Sequence, residues 1–259
     1  ADELFGGYRK HEAEFKLRAL SAFKKQSIKT TSKVFALLPK GRHSKWSDLN
    51  RKFQKFAKGA GLPLISRYWN WLTFIDHTDK VKLLRNSTIE PKLIFEISED
   101  LNSVFQADQT FVLPNDMLTK VDRMSMAHGL EVRTPFLDHE LVDYVNSLPA
   151  SYKVNKNGRK QILIDAFKDE LPPSIYSRKK KGFEIPILDW LKDDMADIFN
   201  SRIFSEEFIN QQGIFNYAYI CELRNNFTKP NFGDRIYLVW TLIIFQNWWY
   251  RNIWKESSQ

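Results

Sequence analysis

The run from Ile236 to Tyr250 constrains the fold most. Its 15 residues carry no charge and lie between Arg235 and Arg251. A membrane-spanning helix needs roughly 20 apolar residues, and Gln246 and Asn247 interrupt this run. The segment therefore reads as a buried helix around which other elements must pack. Strand signals elsewhere are sparse and helical periodicities frequent. Phe15, Leu17, Leu20 and Phe23 fall among basic residues across 8–27, as in an amphipathic helix. Further helices are expected at 29–38, 47–60, 79–84, 90–105, 115–127, 158–169, 188–199, 205–211 and 214–227. Pro114 is expected to bound the helix that follows it. Asp138 is expected to cap the helix holding Leu141, Val142 and Val145.

A chain of 259 residues with 43% hydrophobic content can bury a sizeable core. Its lone cysteine, Cys221, excludes an internal disulfide, and its five histidines show no zinc-ligand spacing. A reducing, cytoplasmic setting is the expectation. The N-terminus has neither a basic n-region nor an apolar h-region, and no membrane partner is expected. Residues 1–60 hold fifteen Lys/Arg against five Asp/Glu. Such a segment is either a solvated helical face or a surface for phosphate or nucleic acid. With no RNP-like, zinc-finger or helix-turn-helix signature, no nucleic-acid partner is expected.

Three segments carry candidate chemistry. Asp2-Glu3-Leu4-Phe5-Gly6-Gly7-Tyr8 sets two carboxylates before a glycine pair. That suits an acidic turn beside a phosphate-bound cation, and equally an acidic first turn of a helix. In the run from Leu113 to His139, Asp116, Lys120 and Arg123 stand at i, i+4 and i+7 and so share a helix face. Their bland reading is surface ion pairing. Arg178-Lys179-Lys180-Lys181-Gly182 places four cations before a glycine. Such a loop suits a polyphosphate or an acyl-adenylate, or forms a generic anion patch.

Taken together, the three segments resemble asparagine synthetases of the glutamine-hydrolysing type. The first resembles the stretch following that family's Ser-Gly-Asp/Glu-Gly segment. Residues 113–139 match its longest run almost completely, and Lys180-Lys181-Gly182-Phe183 with Pro186 follow at the interval seen there. The resemblance is strong over about 2–190 and loose over the aromatic C-terminal helix. It implies an ATP- and magnesium-dependent carbon–nitrogen ligase. Aspartate would be adenylated to β-aspartyl-AMP with release of pyrophosphate, and ammonia from glutamine would then displace AMP to give asparagine. On this mapping Asp2 is the metal-side carboxylate. Asp116 handles the proton of the attacking amine, and Lys180 neutralises charge on the phosphates and the tetrahedral intermediate. Lys120, Arg123, Lys181 and Gly182 fall to the ATP side of the site. Glu131 and Arg133 are expected to pair and fix the turn before Pro135.

The family's Ser-Gly-Gly-x-Asp-Ser loop lies upstream of the first motif, which here begins at residue 2. The expected fold is therefore mainly α. It is the C-terminal helical part of an α/β adenine-nucleotide-hydrolase-like (PP-loop ATP pyrophosphatase) synthetase domain, with most of the parallel sheet missing. Residues 1–259 are expected to form a single unit, truncated on its N-terminal side, that self-associates and does not make asparagine alone. Expected partners are aspartate, ATP and glutamine-derived ammonia, the other synthetase half, the glutaminase domain, and further copies of the chain. The alternatives are a related amidotransferase or β-lactam-type synthetase with another acceptor, and a non-catalytic helical binding module.

Overall fold

The computed structural model describes residues 1–38, 45–75, 77–86, 95–177, 185–229 and 231–254. Its helices, in chain order, are α1 (Asp2–Phe5), α2 (Arg9–Arg18), α3 (Ala22–Phe35), α4 (Lys45–Ala60), α5 (Leu64–Leu72), α6 (His77–Leu83), α7 (Asn102–Ala107) and α8 (Thr119–Met126). There follow α9 (His139–Ser147), α10 (Gln161–Phe167), α11 (Pro173–Ser177), α12 (Ile187–Lys192), α13 (Glu206–Gln212), α14 (Tyr217–Asn226) and α15 (Arg235–Trp249). The only sheet among the described residues is a two-stranded antiparallel hairpin, β1 (Val154–Asn155) with β2 (Gly158–Arg159). The fold is mainly helical, as expected.

The chain divides into two compact units. The first comprises Ala1–Lys29, Phe56–Trp71 and Lys92–Lys181, and holds a small apolar cluster of Leu4, Phe5 and Val145. The second comprises Thr30–Lys55, Leu72–Pro91 and Gly182–Gln259. Its core gathers around α15, where Val239 and Ile243 are buried with Ile209, Leu191 and Ile220. Each such side chain contributes on the order of 1.5–3 kcal/mol when withdrawn from water. Gln246 interrupts the apolar run and is nonetheless fully buried. It exchanges two hydrogen bonds with Gln212, at 2.8 and 3.1 Å, so neither amide is left unpaired. No helix among the described residues is long and apolar enough to cross a membrane.

Several boundaries differ from the periodicity reading. The helix expected over 8–27 breaks at Ala19–Ser21, where the Ser21 hydroxyl accepts from the Lys24 N–H and restarts the chain as α3. Of the segment expected to be helical over 90–105, residues 90–94 lie outside the described residues, and within 95–105 regular helix starts at Asn102. There the Asp100 carboxylate accepts from the Asn102 N–H at 3.0 Å. Pro114 does not bound a helix. The chain passes through it from Asp108 to Leu118 in wider, π-type turns between α7 and α8. Proline removes a ladder donor and crowds the carbonyl four residues back, which a wider turn relieves. The Thr119 hydroxyl then takes up the Pro114 carbonyl at 2.7 Å. Asp138 does cap α9, accepting from the N–H groups of Glu140 and Leu141.

Candidate active site

Asp2 opens α1, a single turn that ends because Gly6 is left-handed, with φ +71°. A Cβ on Gly6 would run into the Val154 methyl and the Phe105 ring, and one on Gly7 into the Asp2 carboxylate and the Lys160 stem. Gly6 is therefore required by its backbone as well as by close approach, whereas at Gly7 a Cβ would displace the Asp2 carboxylate and the Lys160 stem. The Gly7 N–H closes the turn on the Asp2 carbonyl at 2.8 Å. Gly6→Ala should lower stability by about 2–3 kcal/mol, combining left-handed strain with overpacking. Urea unfolding of the variant measures this, and an unchanged midpoint would contradict the packing described.

The hairpin β1–β2 supplies the cation facing Asp2. Lys160 follows β2 in a left-handed conformation (φ 55°), and its Nζ lies 2.5 Å from Asp2 Oδ1. Arg159 Nη1 donates to the Gly7 carbonyl at 2.8 Å, tying the hairpin to the glycine turn. The Asn157-Gly158 pair is the turn signal that a helix reading of 158–169 overlooks: Lys156 and Asn157 form the loop and Gly158, paired with Asn155, opens β2. The helix there begins at Gln161. Beside Asp2, the buried Glu3 carboxylate accepts from the Tyr8 hydroxyl. Burial, then the Glu3 contact, push the Tyr8 phenol above its ordinary pKa, so it remains a donor.

Behind this turn stands a second polar cluster. Asp108, wholly buried, accepts from Lys10 Nζ at 2.5 Å and the Tyr68 hydroxyl at 2.7 Å on one oxygen, and from His11 Nε2 at 2.6 Å on the other. His11 Nδ1 accepts from the Tyr8 N–H at 3.3 Å. With its proton on Nε2, the ring donates to Asp108 and accepts the Tyr8 N–H at Nδ1. Burial holds the His11 pKa below its usual value, although Asp108 opposes the shift. Asp108 is also the first residue of the wide-turn segment that leads to Asp116. The cluster thus fixes α2 and the longest motif to the same point. Glu14 does similar work, receiving Arg67 on both oxygens (2.6 and 2.9 Å) and the Trp71 indole at 3.0 Å.

A cavity of about 340 Å³ lies at this turn. Asp2, Glu3 and Tyr8 line one part of it, and Met117, Val121 and Phe136 another. Asp2 and the helix carrying Asp116, Lys120 and Arg123 therefore share a cavity, though those three side chains are not among its lining. Asp116 and Lys120 form the i,i+4 pair at 3.8 Å with side chains 61% and 57% exposed, a contact worth little to stability. Arg123 is also exposed. Glu131 and Arg133 do pair, but both are exposed, so the contact adds little to the turn. Lys180, Lys181 and Gly182 lie outside the described residues. Glu3 belongs to the acidic pair that the first motif displays, whereas nothing local in the sequence marks Lys160, Tyr8, Lys10, His11 or Asp108 as site residues.

The chain belongs to the asparagine synthase family, which matches residues 1–250. It is a family of carbon–nitrogen ligases. Among its relatives, the glutamine-hydrolyzing asparagine synthetase 1 of Bacillus subtilis is 29% identical over 99% of this chain and 40% of its own length. A putative glutamine-hydrolyzing asparagine synthetase of Mycobacterium bovis is 27% identical over 96% of the chain and 38% of its own. The Gallus gallus asparagine synthetase is 46% identical over 36% of the chain and 16% of its own. The chain thus spans about 40% of the length of the curated relatives it matches most fully. No solved structure matches it.

Proposed function

We propose that this chain is part of an ATP-dependent asparagine synthetase that adenylates aspartate and transfers ammonia, drawn from glutamine, to the activated carboxyl. In this reading an aspartate side-chain oxygen attacks the α-phosphorus of ATP. The bond to the bridging oxygen breaks, and pyrophosphate leaves with the electron pair. The lone pair of ammonia then adds to the acyl carbon of β-aspartyl-AMP. The tetrahedral adduct loses a proton and expels AMP, leaving the amide.

The observation that carries this reading is the cavity shared by Asp2 of the first motif and the Met117–Val121 face of the second. Asp2 would be the protein carboxylate toward magnesium. One or two carboxylates suffice when phosphate oxygens and waters complete an octahedron. Magnesium, when bound, supplies charge neutralisation of the phosphates. Lys160, now paired with Asp2, offers the same site a cation that can shift onto a phosphate oxygen. Asp116, exposed and 3.8 Å from Lys120, is assigned to accept the proton shed by the attacking amine. Lys120, Arg123, Lys181 and Gly182 are assigned to the ATP phosphates, and Lys180 to the charge that develops on the adduct.

The test is product stoichiometry in the whole enzyme with ATP, magnesium, aspartate and glutamine or ammonium. Asparagine, AMP and pyrophosphate are expected in equal amounts. Turnover with another carboxylic acid but none with aspartate would move the chain to a related amide- or lactam-forming ligase. ADP in place of AMP would remove the adenylation step altogether.

A further inference from the structure

Asp2 and Glu3 are neighbours in one helical turn, yet they meet different partners. At 3.6 residues per turn, adjacent side chains leave a helix about 100° apart, so the two carboxylates set out in different directions. Asp2 holds an ammonium, with Lys160 Nζ 2.5 Å from its Oδ1, and its side chain is 21% exposed. Asp2 and Lys160 both pack over Gly7, where an added Cβ would meet each of them. The Glu3 side chain is only 5% exposed. Its Oε1 accepts from the Tyr8 hydroxyl, and its Oε2 lies 3.8 Å from the Ala1 nitrogen. Both carboxylates line the same cavity, so a cation brought into it has two acidic side chains within range.

Tyr8 makes the difference between them, and α2 sets its position. It is the N-cap residue of that helix and donates its N–H to His11 Nδ1 at 3.3 Å. Lys10 Nζ stands 5.1 Å from the centre of the Tyr8 ring, and the His11 ring lies 5.4 Å away, centroid to centroid. Lys10 and His11 are themselves tied to the buried Asp108. The phenol thus starts from a braced helix end and reaches back to α1, where it donates to Glu3. A buried carboxylate oxygen gives up such a donor only at the cost of its own desolvation. Asp2, more exposed and facing a mobile lysine stem, is under no such restraint.

We infer that Tyr8 is a positioning residue that sorts the acidic pair: it commits Glu3 to the protein and leaves Asp2 as the carboxylate that exchanges Lys160 for a divalent cation. The inference rests on the reading of Asp2 as the magnesium-side carboxylate. Asp2 fits that role because it already holds a cation, and an anionic oxygen is the donor that magnesium takes. Without the phenol, Glu3 is released. It then pairs with Lys160 or joins Asp2 on the metal. Either course puts more negative charge at the metal's disposal and tightens its binding. The second also fills a coordination position that a phosphate oxygen would occupy.

The test is manganese binding to the whole enzyme, with the manganese ion standing in for magnesium and its paramagnetic resonance signal reporting the unbound fraction. The nucleotide present is α,β-methylene-ATP, whose bridging carbon blocks cleavage. Asp2→Asn should weaken manganese binding at least about tenfold, the scale on which metal sites lose affinity when a partner is removed. Glu3→Gln should change it by less than about twofold, and Tyr8→Phe should tighten it by about threefold or more. Adding Glu3→Gln to Tyr8→Phe should return the affinity to that of Glu3→Gln alone, because the effect of losing the phenol passes through Glu3. Tyr8→Phe removes one oxygen and keeps the ring. If it fails to fold, Asp2→Asn against Glu3→Gln still decides, since sorting requires unequal losses. Unchanged or weaker binding in Tyr8→Phe, a gain that survives Glu3→Gln, or equal losses in Asp2→Asn and Glu3→Gln would overturn the sorting and leave the magnesium reading in place. No loss in Asp2→Asn would overturn both.

Discussion

Asp108→Ala should lower the unfolding free energy by about 3–5 kcal/mol, the range for removing one partner from a buried charge cluster. Asp108 is wholly buried and receives Lys10, His11 and the Tyr68 hydroxyl. Its removal strands a cation with a 12% exposed side chain and two polar groups with no access to water. Asp108→Asn should cost less, since an amide oxygen can still accept from Tyr68 or His11. Lys10→Met in the Asp108→Ala background should recover part of the loss by deleting the stranded cation. Urea denaturation at neutral pH measures all three. A loss below about 1 kcal/mol for Asp108→Ala would mean the cluster is hydrated.

The same cluster sets the response to acid. Burial holds His11 below its ordinary pKa, so the folded chain keeps a neutral ring while the unfolded chain takes up a proton below about pH 6.5. The unfolded state then binds more protons, and stability must fall as pH drops through that value. For Asp108, burial alone would raise the pKa, but His11 and Lys10 outweigh it and hold the carboxyl below its usual value. Its contribution is complete above about pH 4 and is lost as pH falls further. Acid unfolding of the unaltered chain should therefore start near pH 6.5 and steepen below pH 4. In Asp108→Ala the steeper phase should be reduced.

Legibility followed the range of the forces. The buried helix at 236–250 was visible because a long uncharged run has few other resting places, and the Asp138 cap because a short side chain bonds its own following N–H groups. Pro114 misled because the rule for proline assumes an α-type ladder, and the chain here opens to wider turns. The acidic turn at Asp2 was legible from two carboxylates and two glycines in sequence. Its counter-ion was not, because Lys160 reaches Asp2 only through a hairpin distant in the chain. Asp108 was missed for a related reason. An Asp between Ala107 and Gln109 carries no local sign that Lys10, His11 and Tyr68 will converge on it.

In the whole enzyme, Lys180→Ala should lower turnover about a hundredfold to a thousandfold. That corresponds to roughly 3–4 kcal/mol, by analogy with a lost oxyanion donor. Four cations precede Gly182, and the family resemblance places only Lys180 against the reacting groups. A cation whose contact strengthens as charge develops acts on turnover, whereas one that attracts phosphates equally in ground and transition states acts on the Michaelis constant. Lys179→Ala and Lys181→Ala should therefore raise the Michaelis constant for ATP by a small, salt-dependent factor and leave turnover nearly intact. Lys180→Arg tests the geometry, because guanidinium keeps the charge but spreads it over a planar fork. It should recover ATP affinity more than turnover. If Lys179, Lys180 and Lys181 all give the same modest change in the Michaelis constant, the loop is a diffuse electrostatic patch. The developing charge must then be met by another cation, and Lys160, paired with Asp2 beside the cavity, is the one to substitute next.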